Sequence, residues 1–278
     1  MDAEHALPLD LEREIFETAA LSYPGTRPTL LRVSRRVLVW IEPLLYRDSS
    51  IDSPKIAGAI ARAMELKPSS FFSGNVRHLH IGSASGWSKQ TRYAFLRLCP
   101  NLVSLSFGYT MQPLNGILPV LAGLLHVRMW RGSLWQFFGG PSIDASHPFF
   151  RTITHMDLLH IPPNANSATV LALDEMPALT HLCLHTWTVD VISGMLRHCS
   201  RLQIFLVLLP SYFSKRMLDT ISSAITDVRC VVVAMGSLNE WNGWVSHKHD
   251  LWAGVEAFVA RKRRGEVEIS ARWVEPWW

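Results

Sequence analysis

Residues 176–208 read MPALTHLCLHTWTVDVISGMLRHCSRLQIFLVL. Two segments of this stretch, 179–184 and 202–207, share a frame in which the first, fourth and sixth residues are apolar. The segment between them, 191–198, has apolar residues at helical spacing. The stretch therefore predicts a short strand, a helix and a second strand, joined by tight turns.

The same frame recurs along most of the chain, with spacings of 26, 22, 29, 26, 23 and 26 residues between its first positions. The seven occurrences are Val76/Leu79/Ile81, Leu102/Leu105/Phe107, Leu124/Val127/Met129, Ile153/Met156/Leu158, Leu179/Leu182/Leu184, Leu202/Phe205/Val207 and Val228/Val231/Val233. Helical segments are predicted at 91–98, 116–122, 168–174, 191–198 and 215–225. A period of this length is typical of stacked repeats, because one short strand and helix cannot cover their own apolar sides. We predict an α/β solenoid of parallel strands with outer helices.

Two segments carry a family resemblance: LCPNLVSLSF at 98–107 and MPALTHLCL at 176–184. They resemble leucine-rich repeats, and the resemblance covers roughly residues 70–235. The asparagine that usually follows the third leucine is missing from these frames. The predicted organisation is an N-terminal helical segment at 1–55, repeats at 56–240 and a tryptophan-rich C-terminal cap at 241–278.

The N-terminal segment contains two apolar stripes, which predict two helices packed face to face. Leu11, Ile15, Phe16 and Ala19 form the first stripe, and Leu30, Leu31, Val37 and Ile41 form the second. The segment resembles an F-box, and LEREIFETAA at 11–20 with IEPLLYR at 41–47 is similar to a large fungal family. Val37 stands where F-boxes usually have tryptophan, and the first turn is lengthened over 22–28. Trp40 is a candidate replacement for the missing ring.

The F-box resemblance implies docking onto the Skp-type adaptor of a cullin–RING ubiquitin ligase. The residues that it implies for adaptor binding are Leu7, Pro8, Leu11, Ile15, Phe16, Leu30, Val33, Leu44 and Leu45. An alternative stays open: the two helices only shield the end of the repeat stack from water, as such stacks require.

Side chains that alternate with the core positions are expected on the concave face of the sheet and to contact a protein substrate. This set comprises His78, His80, Ser104, His126, Arg128, Trp130, His155, Asp157, His181 and His185. His126, His155 and His181 would form a ladder on adjacent strands. A zinc site on this ladder is not predicted, because ligands in a flat row do not converge on one point. No metal or cofactor is predicted.

The apolar end of that face is expected to be covered by the C-terminal tail. The predicted patch comprises Ile204, Leu206, Leu208, Cys230, Val232 and Ala234. A closing helix is predicted at 251–259, with Trp252, Val255, Phe258 and Val259 along one side. The basic run 261–264 is interpreted as a helix end stopped by Gly265, with nuclear targeting or phosphate binding as alternatives.

Composition narrows the function classes. The net charge of +4 comes from basic residues spread along 278 positions, which does not favour nucleic-acid binding. The four separated cysteines are expected to be reduced thiols, and neither a signal peptide nor a membrane-spanning segment is predicted, so a cytoplasmic or nuclear location is expected. Nucleotide-binding, hydrolase and metalloprotease motifs are missing. We therefore expect a non-catalytic substrate-recognition subunit of a ubiquitin ligase, or alternatively a leucine-rich-repeat scaffold unrelated to ubiquitin.

Overall fold

The computed structural model describes residues 7–108, 114, 116–138, 143–159, 166–185, 188–209, 215–234 and 248–272. The described strands are β1 Asp48–Ile51, β2 His78–Ile81, β3 Ser104–Phe107, β4 Met129–Gly132, β5 His155–Leu158, β6 His181–Leu184, β7 Ile204–Leu209 and β8 Cys230–Ala234. The described helices are α1 Leu9–Ser22, α2 Arg27–Leu30, α3 Arg35–Arg47, α4 Pro54–Leu66, α5 Ser69–Asn75, α6 Lys89–Leu98, α7 Leu118–Leu121, α8 Trp135–Phe138, α9 Asn166–Glu175, α10 Val189–His198, α11 Lys215–Ala224 and α12 Lys248–Arg263.

All eight described strands form one parallel sheet in the order in which they occur in the chain, β1 to β8. Each strand is separated from the next by helical segments, as a repeated strand–helix unit requires. The predicted seven strands are therefore confirmed as neighbours. The sequence reading missed β1, which lies inside the segment assigned to the N-terminal helices and pairs with β2.

Two faces of the sheet differ in what covers them. On the back face, which we define by Leu79, Leu105, Met156 and Leu182, strand side chains pack against the repeat helices in one continuous apolar core. Helix residues that join this core include Phe95, Leu96, Ile192, Met195, Leu218 and Ile221. The opposite face, the front face, carries the side chains that alternate with these.

The predicted register is wrong in two strands. Met129 pairs with Ser104 and with His155, so Trp130, and not Met129, occupies the core position of β4. The first and fourth places of the apolar frame fitted both registers there, because Leu124, Val127 and Trp130 are all apolar and all buried. The observed register of β4 differs from the predicted one by three residues, since Trp130 and not Val127 pairs with Leu105. A shift by an odd number of residues moves every side chain of a strand to the other face. With Trp130 as the anchor, the repeat spacing becomes more even.

In β8 the same error arose within a run of valines. Cys230 pairs with Phe205, so Cys230 and Val232 belong to the back-face core and were wrongly predicted on the other face. Val231 and Val233 lie on the front face instead. Three consecutive valines at 231–233 carry no period-two signal, so the sequence left the register of this strand undetermined.

Helix ends in the repeats are held by arginines that precede the strands. Arg229 donates to the carbonyl oxygens of Leu196 and Cys199 at the end of α10 and of Leu202 in the turn that follows, and it pairs with Asp227 at 2.7 Å. Arg77 donates in the same way to carbonyl oxygens at the end of α5. These bonds satisfy carbonyls that a helix end leaves unpaired.

None of the described helices combines the length and the hydropathy needed to cross a membrane.

Candidate recognition surface

The N-terminal helices α1 and α3 pack around a small core of their own, as predicted, but Leu11 and Ile15 of the predicted first stripe are exposed and lie outside that core. Ala20, Val37 and Ile41 are fully buried in it, and Phe16, Leu30, Leu31, Trp40 and Leu44 pack against them. The second apolar stripe is not one helix, because the chain breaks between α2 and α3 and Ser34 caps α3 by accepting a hydrogen bond from Val37 N–H. Arg27 joins the pair by donating to the carbonyl oxygens of Ala20 and Leu44.

The residues expected to bind an adaptor divide into two groups. Phe16, Leu30 and Leu44 are partly buried in the helix-pair core, and Leu45 is half-buried. Leu7, Pro8, Leu11, Ile15 and Val33 are exposed. Further exposed apolar side chains occur in the same N-terminal segment, at Leu9, Leu21, Tyr23, Leu38 and Val39. We call the two exposed groups together the hook surface; they include most of the large exposed apolar side chains in the described part of the chain.

At its β1–β3 end, the front face is polar and hydrogen-bonded. His80 Nδ1 lies 2.9 Å from Ser106 Oγ, and its Nε2 lies 3.1 Å from Asp52 Oδ1. Ser106, His80 and Asp52 are the residue types of a nucleophile–base–acid triad. The sequence did not predict that these three residues lie together. Ser106 is fully buried, however, so its hydroxyl cannot reach a substrate in this structure. We interpret the chain of bonds as a link that fixes the loop after β1.

Close backbone packing accompanies that link. A side chain at Gly82 would meet Asp52 Oδ1 at 2.8 Å, and one at Gly108 would meet Ser83 N at 2.7 Å. Only glycine therefore lets successive turns after β1, β2 and β3 approach this closely.

Beside this end of the front face, a cleft of about 320 Å³ between α3 and β2 is lined partly by Leu44, Arg47 and His78.

The middle of the front face is built around a buried ion pair that sequence reasoning missed. Arg131 Nε lies 3.1 Å from Asp157 Oδ2, and Asp157 Oδ1 lies 2.9 Å from His185 Nε2. Cys183 lies in the same group, and its thiol donates a hydrogen bond to the Asp157 carboxylate. Burial lowers the pKa of Arg131, and the neighbouring Asp157 opposes this shift. Arg131 went unnoticed because the predicted register put Trp130 on this face.

The last strands of the front face are covered by α12, as the predicted closing helix requires. Trp252, Val255, Phe258 and Val259 pack on an apolar cluster of Cys183, Ile204, Leu206, Leu208, Val231 and Val233. Ile204, Leu206 and Leu208 of the predicted patch are therefore covered by the chain itself, whereas the side chain of Ala234 lies outside the described residues. Of the six C-terminal tryptophans only Trp252 is described, and Trp241, Trp244, Trp273, Trp277 and Trp278 lie outside the described residues.

The basic run at the end of α12 has structural contacts. Gly265 has a positive φ of 73° and donates to Lys262 O, while Glu266 N–H donates to Arg261 O, which together form a Schellman helix end. Lys262 is buried and its Nζ donates to the carbonyl oxygens of Cys230 and Ile269. These contacts support the interpretation of this run as a helix end.

Of the ten residues expected to bind substrate, three are not on the front face. His126 and Arg128 lie before β4 and are exposed, and Trp130 is in the back-face core. Their placement was wrong because of the shifted register. His78, His80, Ser104, His155, Asp157 and His181 lie on front-face strand positions, and His185 follows β6. Ser104 is fully buried and His181 is 6% exposed, so neither offers much surface to a partner.

All four cysteines are free and buried, which leads to a prediction about their reactivity. Burial raises the pKa of Cys99 and Cys230 to about 12, that of Cys199 to about 11, and that of Cys183 well above its ordinary value. Since the thiolate is the reactive form, native protein at pH 8 should show no thiol that reacts with Ellman's reagent within minutes. All four should react once the protein is unfolded in guanidinium. A thiol that reacts in the native protein as fast as free glutathione would contradict this expectation.

Compared with known proteins, this chain matches no family model, no curated protein and no solved structure.

Proposed function

We propose that this protein is a non-catalytic recognition subunit of a cullin–RING ubiquitin ligase. Its hook surface would dock onto a Skp-type adaptor, and its leucine-rich repeats would hold a protein substrate on the front face. The observation that carries the proposal is the exposure of Leu7, Leu11, Ile15, Val33 and Val39 on one helical unit, at 49–64% of each side chain's possible area. Exposed apolar groups concentrated in one region mark protein-binding sites.

The capping alternative accounts for only part of this arrangement. Helix α3 contacts both α5 and β1, and the Tyr46 ring lies 5.0 Å from that of Phe71, so the N-terminal unit does rest on the first repeat. A cap, however, has a polar outer surface, because that surface faces water. The apolar hook surface faces away from the core of its own helix pair, and capping gives no reason for it.

The helix pair is also well suited to present that surface. Its separate core, the Arg27 bonds to both helices and the pairing of Arg36 with Glu12 at 2.8 Å hold α1 and α3 in one arrangement. A surface that is ordered before binding loses little conformational entropy when it binds. Binding through this surface therefore needs no rearrangement of the helices.

For the substrate, the front face from β2 to β5 offers half-buried polar groups. His78, His80, His155 and Asp157 are partly accessible there, while the apolar strands β7 and β8 are covered by α12. Polar groups held by hydrogen bonds select partners by charge and geometry more than by apolar area. The proposed substrate site is therefore the polar β2–β5 part of this face.

The test is direct binding of the full chain to a purified Skp-type adaptor, measured by biolayer interferometry. The wild type should bind, and the double variant Leu11→Glu/Ile15→Glu should bind at least about 100-fold more weakly, because each change removes an apolar contact and introduces a charge at the interface. Both side chains are about half exposed, so the melting temperature should stay nearly unchanged.

Leu66→Glu and Leu125→Glu are the matched controls, since both leucines are exposed and lie outside the hook surface. They should bind the adaptor like the wild type. Failure of the wild type to bind would end the ubiquitin proposal and favour a scaffold unrelated to ubiquitin. Equal loss in the controls would show that charge, and not the hook surface, controls binding, and would also contradict the proposal.

A further inference from the structure

Two histidines on neighbouring strands of the front face are held in the same orientation. His155 on β5 pairs with His181 on β6, and their rings stack with centroids 4.1 Å apart and planes 17° apart. Nδ1 of each ring lies 2.8 Å from the hydroxyl of the threonine that precedes it, Thr154 or Thr180. Nε2 of both rings therefore points the same way.

A carboxylate from another part of the fold approaches these rings. Glu256 lies one helical turn after Trp252 on α12, and its Oε1 is 3.2 Å from Nε2 of His181. One ligand atom from each of His155, His181 and Glu256 lies within 4.8 Å of the other two. Trp252 meets both imidazoles edge-on, with ring centroids 5.2 and 5.4 Å away.

We propose that His155, His181 and Glu256 form a binding site for a divalent transition-metal ion, with zinc as the preferred ion. Two imidazoles and one carboxylate are a ligand set that zinc accepts, with a fourth position left for water or for a group from a partner. The site fastens α12 across β5 and β6.

This site differs from a flat row of histidines, whose donor atoms do not converge on one metal ion, because its third ligand comes from a helix and not from a strand. This third ligand comes from α12, so one donor atom from each of the three side chains lies within 4.8 Å of the other two. Donor atoms around tetrahedral zinc are about 3.3 Å apart, given bond lengths of roughly 2.0–2.1 Å. His181 and Glu256 already have this separation. Side-chain rotations that move the remaining donor, which lies within 4.8 Å of both, by up to about 1.5 Å would bring it to the same separation.

The threonine contacts supply the outer part of such a site. A metal-bound histidine usually donates its other ring N–H to an acceptor, which fixes the tautomer and the ring orientation. The hydroxyl oxygens of Thr154 and Thr180 can accept those bonds from Nδ1. The Thr-His pair occurs at the start of both strands, so the repeat itself duplicates this arrangement.

A second group nearby has similar residue types but a different charge environment. Asp157, Cys183 and His185 also lie within reach of one another. The guanidinium of Arg131, 3.1 Å from the Asp157 carboxylate, already supplies the positive charge there and would repel a metal ion. This group therefore provides a control for the first.

The test uses the full chain, purified without a histidine tag, stripped of metal by a chelator and titrated with zinc sulfate. One equivalent of zinc should bind with a dissociation constant below about 1 μM, measured by competition with a fluorescent chelator. Cobalt(II) in place of zinc should give the strong visible absorption of a tetrahedral site. Glu256→Gln and His155→Gln should each weaken binding at least about tenfold.

His126→Gln and Cys183→Ser are the controls and should bind zinc like the wild type. Glu256 is half exposed, so Glu256→Gln tests the site even if a variant of the more buried His155 fails to fold. The proposal is overturned if the wild type binds no stoichiometric zinc, if Glu256→Gln binds it unchanged, or if Cys183→Ser abolishes binding.

Discussion

Replacing Trp130 by alanine is expected to lower the free energy of unfolding by about 3–5 kcal/mol, as removal of a buried large aromatic side chain does. Trp130 is 2% exposed in the back-face core, and its ring lies 5.3 Å from that of Phe137. A Cβ atom at Gly132 would lie 2.9 Å from this ring, so the surrounding residues are closely packed. Urea denaturation followed by circular dichroism measures the change.

The matched control for Trp130 is Arg128→Ala. Arg128 precedes the same strand and is exposed, so its replacement should change the free energy of unfolding by less than about 0.5 kcal/mol. The two variants together distinguish the observed register of β4 from the predicted one. If Trp130→Ala cost less than about 1 kcal/mol, Trp130 would be a surface residue and the observed register would be contradicted.

Asp157→Asn is expected to lower the free energy of unfolding by about 3 kcal/mol. The change keeps the shape of the side chain but removes the negative charge that Arg131 faces at 3.1 Å. Arg131 is 7% exposed and cannot give up its proton near neutral pH, so its charge would stay buried without compensation. Urea denaturation at pH 7 checks this expectation.

Asp190→Asn is the control for Asp157, because Asp190 is exposed at the start of α10. Asp190→Asn should lower the free energy of unfolding by no more than about 1 kcal/mol, the usual contribution of a charge near a helix N-terminus. Equal losses of unfolding free energy in the two variants would mean that the Arg131–Asp157 ion pair contributes no more to stability than an exposed carboxylate does. Asp157 was expected to contact substrate, so any loss of substrate binding by Asp157→Asn must be compared with the loss of stability.

Most of the architecture could be predicted from sequence because the repeat supplies the same information several times. Leu79, Leu105, Met156 and Leu182 were each placed correctly in the core from their frames. The predicted helices at 91–98, 168–174, 191–198 and 215–225 correspond to α6, α9, α10 and α11. The segment 116–122 forms only the single turn α7.

The errors in the predicted surface have one physical origin. Alternation assigns faces only where polar and apolar residues alternate, and β4 and β8 do not alternate clearly. Because of the error in β4, Trp130 was predicted on the front face and Arg131 was not. His126 was predicted beside His155, where the structure has Met129. Strand β1 was missed because Asp48–Ile51, which reads DSSI, has a single large apolar residue.

The sequence by itself determined the repeated strand–helix unit, the α/β class and the apolar face of the closing helix, because each depends on periodicity within a short segment. Only the tertiary structure decided which groups from distant segments meet: Arg131 with Asp157, His80 with Asp52 and Ser106, and Glu256 with His181. These contacts depend on strand register and on where α12 crosses the sheet. Both are set by the fit of whole elements against one another, for which a local pattern carries no signal.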